Sequence, residues 1–340
     1  MRPFLYLIIL TFLFNPRLQA QDFHFSQFEQ LPLLRNPALA GVFDGDLRVS
    51  GAFRNQWQSV SAPFKTSALN AEIKFPVFAG NDWLTLGISA VHDVAGDVKL
   101  KRTQLMPVLN YHKSLSGDYD DYISLAFMAG PVNSQFDPTQ LKLDDQFQNG
   151  SFSINNPTNQ VFQRTGFTYW DASTGITYAS GFGEDSRYYI GAAMYHFNKP
   201  KVAFYTSNSN VHIDPKYVLN AGLSTPTSDI HRFKIYADYY LQGGSSLFAA
   251  GAMYVIEVAD QFYADKRATL SLGASYRWND AIVPAVRLDW FDMSLGISYD
   301  INISRLAQAS SWRGGFELTA AYQASFTNRS AARDGVRCVR

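Results

Sequence analysis

The side chains best suited to proton transfer or metal binding are six histidines: His24, His92, His112, His196, His212 and His231. They are scattered along the chain, and none belongs to an H-E-x-x-H pair, whose i, i+4 spacing sets two imidazoles on one helix face around zinc. A serine nucleophile on a G-x-S-x-G elbow and the Gly-Lys phosphate loop are both absent. Gly181-Phe182-Gly183 lacks a third glycine and suits a hairpin. Asp144-Asp145 offers two carboxylates, but an acidic pair in a polar loop is normally solvated. Tyr119-Asp120-Asp121-Tyr122 reads as the entry to a strand. No residue is assigned a catalytic, metal or cofactor-binding role, so the expectation is a protein that is not an enzyme and needs no cofactor.

The elements that carry these residues begin after a leader. Arg2 precedes an apolar stretch, Phe4 to Phe14, and Leu18-Gln19-Ala20 ends in a small residue. That is the pattern of a secretory signal peptide over 1–20, cut after Ala20. No cysteine follows it for a lipid anchor, and the only cysteine is Cys338, so an exported chain is built without disulfides. Lys and Arg together number 29, as do Asp and Glu, and no basic block stands out, so no nucleic acid is expected as a partner. Hydrophobic residues make up 46% and aromatics 15%, yet the longest apolar run past the leader, Leu247 to Ile256, is about half a helical membrane span.

The apolar residues are instead spread with period two. Met293, Leu295, Ile297, Tyr299 and Ile301 alternate with Ser294, Gly296, Ser298 and Asp300. Leu270, Leu272, Ala274, Tyr276 and Trp278 alternate with Ser271, Gly273, Ser275 and Arg277, and 316–323 repeats the scheme. Successive side chains of a strand point to opposite faces, whereas a helix would scatter these residues around its girth. The same test predicts about 14 strands: 46–56, 65–75, 83–94, 100–114, 119–133, 167–180, 185–198, 216–225, 230–242, 244–258, 267–279, 281–290, 291–303 and 314–325. They run about ten to fifteen residues, longer than the usual strands of soluble sheets and long enough for the nine to eleven that a tilted membrane strand needs.

A soluble sandwich also alternates, and three features choose against it. The non-apolar face is rich in Gly, Ser, Thr and Asn, as a hydrated or plugged lumen requires. Aromatics collect near segment ends: Trp83, Tyr111, Trp170, Tyr178, Phe197, Tyr239, Tyr240, Trp278 and Trp290. Such rings suit the headgroup level. The two longest connections, 134–166 and 199–215, fall on the same end, and short ones such as 114–118, 180–185 and 226–229 on the other. Unpaired strand edges in hydrocarbon would leave backbone groups without partners, so the sheet must close. The expected fold is all-β: a transmembrane antiparallel outer-membrane β-barrel over 46–326, preceded by a periplasmic or lumen-docked segment 21–45 and followed by a tail, 327–340.

Seven short blocks stand out along the chain, in order. They are Gln21-Asp22-Phe23-His24-Phe25-Ser26-Gln27-Phe28, Asn36-Pro37-Ala38-Leu39-Ala40-Gly41 and Arg54-Asn55-Gln56-Trp57. Asp93-Val94-Ala95-Gly96-Asp97 with Thr103-Gln104, and Leu143-Asp144-Asp145-Gln146-Phe147, follow. Ile297-Ser298-Tyr299-Asp300-Ile301-Asn302 and Gly314-Gly315-Phe316-Glu317-Leu318 complete the set, and the blocks in this order resemble the PorP/SprF family of type IX secretion-system membrane proteins, the final two matching its last two strands. Phe23 stands where the family has Pro, and Cys338-Val339-Arg340 only approximates its usual ending.

The resemblance implies an outer-membrane component of type IX protein secretion, in some members also of gliding motility. Its implied partners are proteins of the secretion machinery and cargo carrying a C-terminal sorting domain, with outer-membrane lipid around the wall. The alternative is a diffusion channel or substrate-specific porin with an open lumen. An outer-membrane lipase would need a lipid-facing nucleophile with a histidine partner, and no strand presents one. Phe23, Phe25, Phe28, Leu31, Leu33 and Leu34 form the candidate partner-contact segment. Left in water they would be an apolar patch of the kind that marks a contact surface, so they are expected to dock into the lumen or onto a periplasmic partner.

Overall fold

A computed structural model of the chain describes residues 22–58, 62–77, 81–116, 121–153, 155–183, 185–204, 210–258, 268–305 and 307–326. The expected leader 1–20, Gln21, the tail 327–340 with Cys338, and 205–209 of the second long connection lie outside the described residues. The strands are β1 (Leu47–Gln56), β2 (Phe64–Pro76), β3 (Trp83–Ala95), β4 (Leu100–Ser114) and β5 (Tyr122–Gln135). A two-residue-per-strand hairpin, β6 (Phe147–Gln148) and β7 (Ser151–Phe152), interrupts the series. Then come β8 (Gly166–Phe182), β9 (Ser186–Tyr195), β10 (Lys216–Ser228), β11 (His231–Gln242) and β12 (Ser245–Val258). β13 (Ala268–Arg277), β14 (Ala281–Trp290), β15 (Met293–Asn302) and β16 (Arg313–Ala324) complete it.

Excluding the hairpin, 14 strands pair antiparallel with their neighbours, and β1 closes the barrel against β16 with Val49 opposite Tyr322 and Phe53 opposite Leu318. Each expected segment corresponds to one of them within a few residues. Two-facedness runs round the wall. In β5, Ile123, Leu125 and Phe127 face outward while Tyr122, Ser124, Ala126 and Met128 are buried inside. In β15 all five apolar residues of the alternation are exposed on the outer wall. Among the described residues no helix is long and apolar enough to cross a membrane; the strands do so.

Of the aromatics expected at the interfaces, Trp170, Trp278 and Trp290 are more than half exposed at strand ends, and Trp312 joins them. Trp83 and Tyr240 depart from that expectation. Trp83 is buried inside against Leu39 and Val42, and the Tyr240 hydroxyl donates inward to Asp238 at 2.6 Å. Period two alone assigns a face only when its register is known, and in β3 the tryptophan falls on the inner register.

Both long connections lie at one end and pack on each other. Phe136 meets Phe162 at 5.4 Å and Phe204 at 5.0 Å between centroids, and Phe204 meets Phe167 at 4.8 Å. Asp145 is tied down within this cap: its carboxylate accepts from the Asn159 backbone N–H at 2.7 Å and the Thr158 hydroxyl at 2.8 Å. Those two donors hold it below the usual carboxylate range. Asn149 and Gly150 both have positive φ (54° and 81°), the two-residue turn that closes β6 and β7.

Outer-membrane barrels carry short periplasmic turns and longer outer loops, which orients the molecule. A single cysteine at Asn149 in a Cys338→Ser background should react with an impermeant maleimide on intact cells. One at Thr227, at the short-turn end, should react only once the outer membrane is opened. Labelling of intact cells at Thr227 alone would reverse this orientation.

Candidate functional site

The lumen is filled by the chain that precedes β1. Residues 22–46 run the whole length of the barrel, from the long-loop mouth, where Asp22 meets Lys216 and Arg102, to the short-turn end, where Asp46 donates its backbone N–H to Ala324. Two 3-10 turns (Phe28–Gln30 and Pro37–Leu39) flank one α-helical turn, α1 (Pro32–Arg35). A segment this short has no core of its own, so the wall supplies one.

The six apolar residues singled out in the sequence all point into that lumen. Phe25 and Leu31 are buried against Ala52, Ala68 and Val91, with Phe23 and Leu34 partly buried beside them. Phe28 packs on Tyr236, Ala249 and Met253. Leu33 turns the other way, into Met106, Met128, Val132, Tyr195 and Val218. Small inward residues leave room for large ones of the plug, the complementarity that dense packing requires.

Polar anchors fix the path at four levels. At the outer mouth Asp22 receives Lys216 Nζ at 2.7 Å and Arg102 Nη1 at 2.9 Å, with His196 Nε2 at 3.5 Å. Below it, Glu317 accepts the backbone N–H groups of Ser26 and Gln27, both at 2.7 Å. Asp300 accepts from the Ser26 hydroxyl (2.6 Å), Arg54 (2.7 Å) and Arg277 (2.8 Å). Arg54 also donates to the His24 carbonyl. At mid-depth Arg35 makes a two-pronged pair with Asp238, at 2.8 and 2.6 Å, and donates to the Tyr189 hydroxyl at 2.7 Å. Both partners of that pair are essentially shut off from solvent.

The fourth level explains the Asn36-to-Gly41 block. The Asn36 side-chain oxygen caps the turn by accepting from Ala38 N–H at 2.8 Å. Its amide nitrogen lies 3.0 to 3.3 Å from Asn220 Oδ1, Thr177 Oγ1 and the carbonyls of Ile176 and Ala192. This is possible because Gly175 and Gly191 line the wall there; a Cβ would approach Asn36 to 1.9 Å and 2.7 Å respectively. Asn110 donates to the carbonyls of Ala38 and Ala40, and Glu72 accepts from Gly41 N–H at 2.9 Å. Near the bottom, Lys74 donates to the Phe43 carbonyl at 2.7 Å.

Of the wall residues of this site, Asp300 and Glu317 fall within the blocks that carry the family resemblance, whereas Glu72, Asn110 and Asp238 do not, and the sequence assigns a site role to none of the five. Their signal was a charged or amide side chain on the face otherwise held by Gly, Ser and Ala. Among the described residues no group of His, Cys, Asp or Glu gathers as a metal site. What the arrangement can do is bind and hold a polypeptide.

A closed, even-stranded barrel with an apolar outer belt and a polar, filled interior is an outer-membrane β-barrel. The chain belongs to the family of type IX secretion system membrane proteins PorP/SprF, whose model matches residues 18–322. No curated protein matches it significantly. Among solved structures it is similar to the Ralstonia pickettii toluene transporter TbuX, at 11% identity over 87% of this chain and 94% of that one, with a TM-score of 0.51. It is also similar to BamA from Haemophilus ducreyi lacking POTRA domains 1–3, at 10% identity over 82% and 70%, with a TM-score of 0.41. At such identities the first likeness concerns fold alone.

Proposed function

We propose that this protein is a non-enzymatic part of type IX protein secretion that works by binding other proteins: periplasmic components of the machine, cargo with a C-terminal sorting domain, or both. Family membership supports the setting. The observation that carries the binding mechanism is the filled lumen, with a plug fastened by charged and amide side chains from strands all round the wall. A diffusion channel would keep that space for solute. Here the barrel presents protein at both ends: a folded loop cap outside and the lower end of the plug toward the periplasm. Participation in gliding, as in some family members, is part of the same reading, as are export through a leader cut after Ala20 and the division into plug, barrel and tail.

Deleting Asp22–Leu34 tests it. The barrel wall should still assemble, because its strands pair with each other, while co-purification of secretion components from detergent-solubilised outer membrane and delivery of cargo to the surface should both fall by at least tenfold. If intact protein conducts ions freely in a planar bilayer and the deletion alters neither conductance nor secretion, the channel reading prevails.

A further inference from the structure

The start of the described chain sits at the outer mouth, far from the strand it leads into, and it is held there as a ligand is held. Three cationic or imidazole side chains, from β4, β10 and the turn after β9, converge on one carboxylate, Asp22. The His196 side chain is 3% exposed, Asp171 fixes its Nδ1 at 2.7 Å, and its Nε2 faces Asp22 without making a hydrogen bond. The Asp22 backbone N–H donates to Gln242 Oε1 at 3.2 Å. Next to the carboxylate, the Phe23 ring lies 5.8 Å from the Arg102 guanidinium and edge-on to Phe25 at 6.4 Å. The cleft they share is lined by Phe28, Leu31, Leu34, Tyr240 and Leu247 and keeps only about 50 Å³ free.

From this we infer that the outer mouth is a peptide-binding site for a segment bearing a carboxylate beside aromatic residues, filled at rest by the protein's own Asp22–Phe25 arm. The chemistry is read from the occupant. The site recognises an acidic side chain by paired cations, a backbone N–H by Gln242 and an aromatic ring by an apolar cleft with a cation at its edge. The small free volume means that a second peptide cannot bind beside the arm and must displace it. A tethered arm competes at an effective concentration of about millimolar, so the site answers to a partner that is itself abundant or tethered. What the mouth binds is set by these side chains, whatever machine the barrel serves.

The test uses the full-length protein carrying Phe23→Cys and Cys338→Ser, purified in detergent, with the rate of maleimide labelling at position 23 as readout. In the resting protein labelling should be slow. Adding Asp22→Asn or Lys216→Ala should speed it at least tenfold. The acetylated peptide Asp-Phe-His-Phe-Ser at millimolar concentration should speed it at least threefold, and the same peptide with Asn in place of Asp should not. Fast labelling from the outset, no response to either substitution, or equal effects of the two peptides would each overturn the site. Equal acceleration by 3-phenylpropionate would overturn the peptide assignment in favour of a small aromatic acid.

Discussion

Arg35→Ala should turn a closed barrel into a leaky one. In planar bilayers the intact protein is expected to show no steady ion current and the variant frequent openings. Arg35 sits on the last residue of α1, and Asp238 faces it from the middle of β11, 2.6 Å away with both partners out of contact with solvent. Truncating the arginine leaves Asp238 buried with its charge uncompensated, which costs about 3–5 kcal/mol. It also strips the Tyr189 hydroxyl of a donor and removes the cation packed 5.0 Å from the Phe28 ring. The plug is the weaker partner, because its three short turns rest on the wall while the wall rests on its own ladder of backbone bonds. The free energy therefore comes out as plug release, with the barrel intact by its resistance to unfolding in cold SDS.

The double variant Arg35→Met with Asp238→Leu separates charge from shape. Removing both partners of a buried pair in favour of apolar groups of similar size is often close to neutral, so the double variant should be tighter than either single one. A coupling energy near zero in that cycle, or an Arg35→Ala barrel as closed as the parent, would mean that the apolar packing of Phe25, Leu31 and Leu33 holds the plug unaided.

The wall was legible in the sequence and the plug's path was not, for a physical reason. Strand alternation is a local signal: Leu270, Leu272 and Tyr276 announce their face within seven residues. The anchors are not local. Arg35 finds Asp238 across 203 positions and Gln27 finds Glu317 across 290, so no window along the chain contains both partners. Asn36-Pro37 could be read as a turn from local rules alone, and it is one. Its larger role depends on Gly175 and Gly191, which lie on two other strands. Asn149-Gly150 did carry a hairpin signal, but strands of two residues on each side are too short to show alternation. The direction of the plug, with its first residue at the outer mouth and its last at the inner end, follows from no composition or period; only the ion pairs of Asp22 and the hydrogen bonds of Asp46 reveal it.

Charge placed on the two faces of one strand should give opposite kinds of failure. Leu295 is 54% exposed on the outer wall two residues into β15, opposite Leu288 and Ala320. An arginine there meets hydrocarbon, at a cost that rises to about 2–4 kcal/mol at the midplane, and the expected result is loss of assembled barrel from outer-membrane fractions. Leu272→Arg in β13 should behave alike. Ser294, the inward neighbour of Leu295, lies in a polar setting with Asp289 and Arg287 at hand, so Ser294→Arg should assemble. Ser271 is different from what a hydrated lumen would allow. It is 2% exposed, on the inner face of a barrel already full of plug, so an arginine has no water to enter and must push protein aside. Ser271→Arg should insert in normal amounts and then leak ions as Arg35→Ala does. Equal assembly of all four variants with no leak from any would remove both the lipid-facing belt and the packed lumen, whereas loss of assembly only in Leu272→Arg and Leu295→Arg, with current only through Ser271→Arg, requires both.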